Sequence, residues 1–144
     1  MDTKFSSAIH MLILISEAET PMTSEEIAVS VGTNASYIRK ITGLLKKKGI
    51  IKSRQGIGGF LLLTKPEELT LREVYQAVSE TEQVHIFDLH QNPNDQCIVG
   101  KHIRPVLADI FRSIEEKAEQ ELNNTTLRDC MNRMQVEIER SGHP

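Results

Sequence analysis

Apolar side chains at Phe5, Ala8, Ile9, Leu12, Ile13 and Ile15 recur three and four apart, the period of one α-helical face, and predict a first helix over about 4–19 that Pro21 closes. Thr23, with Glu26 three residues on, spells a capping box. It opens a short second helix that carries Ile27, Ala28 and Val31 and stops at Gly32. Asn34 is the next cap. From there to Lys48 the pattern places Tyr37, Ile38, Ile41, Leu44 and Leu45 on one side, with Arg39, Lys40, Lys46 and Lys47 elsewhere around the helix. Two short helices joined by a tight glycine-containing turn make a helix-turn-helix. Gly49 caps the third helix, and residues 50–53 and 60–63 read as strands. Between them, Arg54-Gln55-Gly56-Ile57-Gly58-Gly59 supplies the positive backbone angles of a hairpin. A basic hairpin after a helix-turn-helix is a wing.

A second capping box, Thr70 with Glu73, opens a helix whose inner face is Leu71, Val74, Tyr75 and Val78. Residues 83–100 follow neither period, and 18 residues exceed an ordinary connection. This loop holds His85, His90 and Cys97. Pro105 suits the first turn of a helix, and Ile103, Val106, Leu107, Ile110, Phe111, Ile114, Ala118 and Leu122 keep the helical spacing to about Asn123. Such a helix is on the order of 30 Å long. It can overhang a small core and offer its apolar stripe to a partner. Thr125 and Thr126 cap a last helix with Leu127, Cys130, Met131, Met134 and Ile138 in line.

The 144 residues fit one globular unit, which excludes a large multidomain enzyme. With 39% apolar and 26% charged residues the whole chain is expected to fold, and with two Tyr, four Phe and no Trp its core must be aliphatic. No apolar run approaches the ~20 residues of a membrane span, so neither a span nor a secretory leader is expected. Two cysteines, Cys97 and Cys130, are too few for a disulfide framework and agree with a cytoplasmic protein.

Charge changes the picture most. Residues 1–65 hold nine Lys/Arg against five Asp/Glu, net +4, while residues 66–144 hold eight against fifteen, net −7. The forty residues from Ile27 to Pro66 contain eight basic side chains and no acid. Either a polyanion-binding half is joined to an acidic half, or this is an ordinary solvated surface.

Four stretches carry a family likeness: Ser36-Tyr37-Ile38-Arg39-Lys40-Ile41, Leu44-Leu45-Lys46-Lys47-Lys48-Gly49-Ile50-Ile51-Lys52-Ser53, Gly56-Ile57-Gly58-Gly59-Phe60 and Glu68-Leu69-Thr70-Leu71-Arg72-Glu73-Val74. Together they resemble the Rrf-type family of bacterial winged-helix regulators, whose branches include IscR-, NsrR- and CymR-like repressors. The likeness continues into Cys97-Ile98-Val99-Gly100 and Asn124-Thr125-Thr126-Leu127, and so covers most of the chain. It implies a mainly α fold: a winged helix-turn-helix DNA-binding domain over 1–80, an effector loop over 81–100 and a helical dimerisation region over 101–144. It also implies a homodimer held through Ile103, Val106, Leu107, Ile110, Phe111 and Ile114, with double-stranded DNA as partner.

At the start of the recognition helix, Asn34, Ser36, Tyr37, Arg39 and Lys40 supply hydrogen-bonding side chains where such helices reach bases and phosphates. Tyr37 fits core packing equally well, and Arg39 and Lys40 could be solvated charges. In the wing, Lys52 and Arg54 are the basic probes, while Gly58 and Gly59 either admit a duplex or only turn the chain. Gln55 stands where family wings often carry an arginine, with Arg54 one place earlier.

Cluster-binding relatives carry three closely spaced cysteines in the loop before the long helix, and here only Cys97 has a counterpart. Gln91 and His85 occupy the other two places, so the chain resembles a cluster-free branch with no cofactor. Cys97 is either a redox or electrophile sensor, its thiolate favoured by the following helix, or a small buried residue anchoring the loop. Cys130 reads as core. His85, His90, His102 and Cys97 match no compact metal-ligand spacing. No phosphate loop, nucleophile elbow or paired acid–base motif marks an enzyme, and Glu25-Glu26 and Glu67-Glu68 read as helix-start charges. The function expected is a dimeric, sequence-specific transcription repressor acting on a palindromic operator, with a redox or small-molecule effector near Cys97. The alternative is a winged-helix module that docks an acidic protein.

Overall fold

The structure is a computed structural model and describes residues 2–142; residues 1, 143 and 144 at the ends of the expected domains lie outside it. Local signals act where they are written. In α2 (Ser24–Val31) the Thr23 hydroxyl accepts from the Glu26 amide at 3.2 Å, and the Glu26 carboxylate accepts from the Thr23 amide at 3.0 Å. The same reciprocal pair opens α4 (Leu71–Ser79) with Thr70 and Glu73, and α6 (Leu127–Arg140) with Thr126 and Asp129. Between α2 and α3 (Ala35–Lys47), Gly32 turns the chain at a φ of +84°. α1 (Lys4–Glu17) ends two residues earlier than expected, because Ala18 is already extended on the way to Pro21.

Apolar faces of α1, α2, α3, α4 and α6 meet in one core. Met11, Leu12, Ile27, Ile38, Ile41, Leu45, Val74 and Leu127 are fully buried there, with Ile51 of the wing. α6 joins through its first turn: the Leu127 amide donates to the Leu69 carbonyl at 2.8 Å, and the Leu71 amide to the Thr125 carbonyl at 2.9 Å. Glu67 is therefore no helix-start charge. It pairs with Arg128 of α6 at 2.8 Å.

The wing is an antiparallel hairpin of β1 (Ile51–Ser53) and β2 (Phe60–Leu62), in the register Ile51 to Leu62, Lys52 to Leu61 and Ser53 to Phe60. Its base leans on the α1–α2 connection. A side chain at Gly59, where φ is +78°, would bring a Cβ within 2.5 Å of the Pro21 Cβ.

α5 departs from expectation. It runs from Ile98 to Asn123, 26 residues and about 39 Å, so Pro105 lies inside it and not in its first turn. Proline deprives the Lys101 carbonyl of one helical bond, and contacts with the preceding loop support this extra stretch. The Asn94 carbonyl packs where Gly100 lacks a side chain, and the Arg104 guanidinium donates to the His90 carbonyl. No helix among the described residues is long and apolar enough to cross a membrane.

Candidate nucleic-acid interface

The α3 N-terminus is built by Asn34, whose Oδ1 accepts from the Tyr37 amide at 2.8 Å. That bond commits the Asn34 oxygen to the cap and leaves its amide nitrogen to donate. Ser36, Arg39 and Lys40 are exposed, and their three- and four-residue spacing puts them on one face. Tyr37 packs on the core and keeps its polar end at the surface. Its ring is half-buried against the core, while its hydroxyl lies 3.4 Å from that of Thr3 at the surface.

Arg39 corrects the picture of a carboxylate-free stretch. Its Nη1 lies 3.3 Å from Oε1 of Glu25, two residues outside the acid-free segment and in the first turn of α2. Sequence spacing misses this pair, because the helix-turn-helix itself folds the two together. The other end of α3 is tied to the wing by Lys46, whose Nζ sits 5.4 Å from the centre of the Phe60 ring. On the wing, Lys52 is exposed and Arg54 half-buried, the Arg54 amide donating to the Gly59 carbonyl at 3.0 Å. Gly58 has open space on its Cβ side; Gly59 is occupied by the protein itself.

α5 divides the six expected dimer residues between two faces. Val106 (52% exposed), Ile110 (50%) and Ile114 (44%) face solvent, continuing Val99 at the helix start. Ile103, Leu107 and Phe111 are half-buried, Phe111 against the Phe87 ring at 5.0 Å between centroids.

A polar clamp not foreseen from the sequence fixes the loop. Glu115, 5% exposed, accepts from the Ile86 and Phe87 amides at 2.6 and 3.1 Å, and Glu119 accepts from the Val84 amide at 2.6 Å. Arg112 bridges to Glu119 at 2.8 Å and donates to the Val84 carbonyl at 3.3 Å. Burial pushes the Glu115 carboxyl up, but these amide bonds, with His85 and Arg112, outweigh it and leave it below the ordinary value. The hydrogen bond from Arg112 holds Glu119 low in the same way, and the Asp88 carboxylate at 2.6 Å raises His85. Only the three- to seven-residue spacing of Arg112, Glu115 and Glu119 along α5 could have signalled the clamp.

Cys97 is the residue before α5 and is exposed, which removes the buried-anchor alternative. The amides of Gly100 and Val99 lower its thiol below the ordinary value. Cys130 is half-buried against the core, and burial raises its thiol.

A basic recognition helix set in a helix-turn-helix with a wing, followed by a long helix that leaves its apolar face open, defines a winged-helix transcriptional regulator. Residues 1–133 match the Rrf2 family, described as "Iron-dependent Transcriptional regulator", and the chain belongs to that family, one of regulators and not of enzymes. The "Putative HTH-type transcriptional regulator YwnA" of Bacillus subtilis (strain 168) is 41% identical over 134 residues, covering 93% of this chain and 98% of that protein. A solved structure named "Crystal structure of a putative DNA binding protein" is 39% identical, with a TM-score of 0.72 over 89% of this chain and 98% of its own. The global cysteine regulator CymR of B. subtilis, 19% identical, shares the fold, with a TM-score of 0.69 over 92% of this chain and 96% of that one.

The donor set does not fit the iron in the family description. An iron–sulfur cluster needs several thiolates together, whereas Cys97 precedes α5 and Cys130 is packed on α6. Among the described residues no three His, Cys, Asp or Glu side chains are grouped to hold a metal ion.

Proposed function

We propose that this chain is a cytoplasmic, sequence-specific repressor that binds double-stranded DNA as a homodimer on a palindromic operator. The observation that carries the reading is the exposed face of Ser36, Arg39 and Lys40 at the start of a capped recognition helix. Asn34 and the Tyr37 hydroxyl flank that face, and Lys52, Arg54 and Gly58 of the wing extend it toward the minor groove or the phosphates. The exposed Val106, Ile110 and Ile114 support pairing of two copies through α5, with Ile103, Leu107 and Phe111 lining the edge next to the loop. Residues 1–80 then read DNA, 81–100 receive a signal and 101–144 join the copies.

The exposed, acidified Cys97 thiol supports redox gating: a peroxide oxidises the thiolate to sulfenic acid and is itself reduced to water. The clamp on Glu115 and Glu119 connects the loop to α5, and the Tyr75 hydroxyl, which accepts from the His85 amide at 3.3 Å, connects it to α4. A signal at the loop has a physical path to both halves.

Hydroxyl-radical footprinting of the full-length chain on the DNA upstream of its own gene tests this reading. Two protected patches are expected, about 10 base pairs or a whole multiple apart, and peroxide should erase them for wild type but not for Cys97→Ser. Uniform protection at all sequences would favour the acidic-protein docking module instead.

A further inference from the structure

Glu25 lies in the first turn of α2, the helix that crosses the phosphate backbone when a helix-turn-helix docks. A carboxylate there is repelled by the duplex. It is not needed to start the helix, since Glu26 closes the capping box with Thr23. Glu25 instead holds Arg39 Nη1 at 3.3 Å, with both side chains in solvent, 70% and 58% exposed.

A guanidinium carries five donors in a rigid fork. With Nη1 turned to Glu25, Nε and Nη2 remain as two parallel donors, a fork that fits O6 and N7 of guanine and fits a phosphate equally well in shape. Charge separates the two ligands. A phosphate adds an anion beside the Glu25 carboxylate, whereas the guanine edge offers neutral acceptors.

We propose that Glu25 is a positioning residue for DNA reading, holding the Arg39 guanidinium toward a base edge and away from the phosphate backbone. Arg39 then contributes to discrimination between sequences more than to general affinity. This rests on the reading that α3 enters the major groove.

Fluorescence anisotropy across a salt series, on the footprinted duplex and on a scrambled one, tests the assignment with full-length wild type, Glu25→Gln, Arg39→Gln and the double variant. Glu25→Gln is expected to tighten scrambled-duplex binding about fivefold while changing operator binding less than about twofold. Its salt slope on scrambled DNA should steepen by about 0.9, the value for one further neutralised phosphate. In the Arg39→Gln background the same change should leave the operator-to-scrambled ratio unaltered. A ratio that Glu25→Gln does not lower while Arg39 is present makes Glu25 a plain surface charge and overturns the proposal. A wild type that binds both duplexes alike overturns instead the reading of α3 as the sequence reader, so the two failures are distinct. Equal melting temperatures of the four proteins exclude a folding effect.

Discussion

The winged-helix half and α5 bury opposite kinds of group. Around Leu12, Ile38, Ile41 and Leu45 the interior is aliphatic and closed to water, whereas the buried residue of the 26-residue α5 is a glutamate. Apolar burial of the first kind stabilises a single copy by itself, at roughly 1.5–3 kcal/mol for each large side chain. α5 is fastened within its own protomer chiefly by carboxylates that satisfy loop amides, while Val106, Ile110 and Ile114 are left in water. The half that carries the recognition helix closes its core within one copy; the half that follows it leaves an apolar face open.

The largest effect that would break this comparison is on assembly. Ile110→Glu with Ile114→Glu should convert a dimer at micromolar concentration into a monomer by sedimentation, with helix content unchanged by circular dichroism. A variant that stays dimeric would place the second copy elsewhere.

A smaller, local effect is expected at the clamp. Glu115→Ala leaves the Ile86 and Phe87 amides without their acceptor, at a cost of about 1–3 kcal/mol, and should speed hydrogen exchange at those two amides while the amides of α3 stay protected. Titration gives the same contrast. Glu115 and Glu119 lie below the ordinary 4.5 in the folded chain, so their contribution is complete above that value and is lost as pH falls through their lower folded values. His85 is raised above 6.5, so its smaller share is complete below that value and fades as pH rises through the folded one. Amide shifts of Val84 and Ile86 followed by NMR from neutral to acid pH should move with the carboxylates, well before the core amides.

The two halves were also unequally legible. Capping boxes at Thr23 and Thr70, the Asn34 cap and the glycine-flanked hairpin are short-range patterns whose causes lie within a few residues, and the structure forms them as written. The start of α5 was hidden because Pro105 mimics a first-turn residue, while what supports Ile98 to Arg104 comes from the loop at Asn94 and His90. Backbone amides of Val84, Ile86 and Phe87 carry no sequence signature, so the loop side of the clamp had no pattern to find. Nor did the approach of Gly59 to Pro21 or of Glu25 to Arg39, both of which arise only when separate elements meet.

Replacing the exposed cations of the α3 face tests the central claim most directly. Binding of Arg39→Ala with Lys40→Ala to the upstream duplex, measured by anisotropy across a salt series, should be at least about tenfold weaker than wild type, with a salt slope shallower by about one, the share of Lys40. Undiminished affinity with an unchanged slope would contradict the account, because the face on which it builds would then touch no DNA.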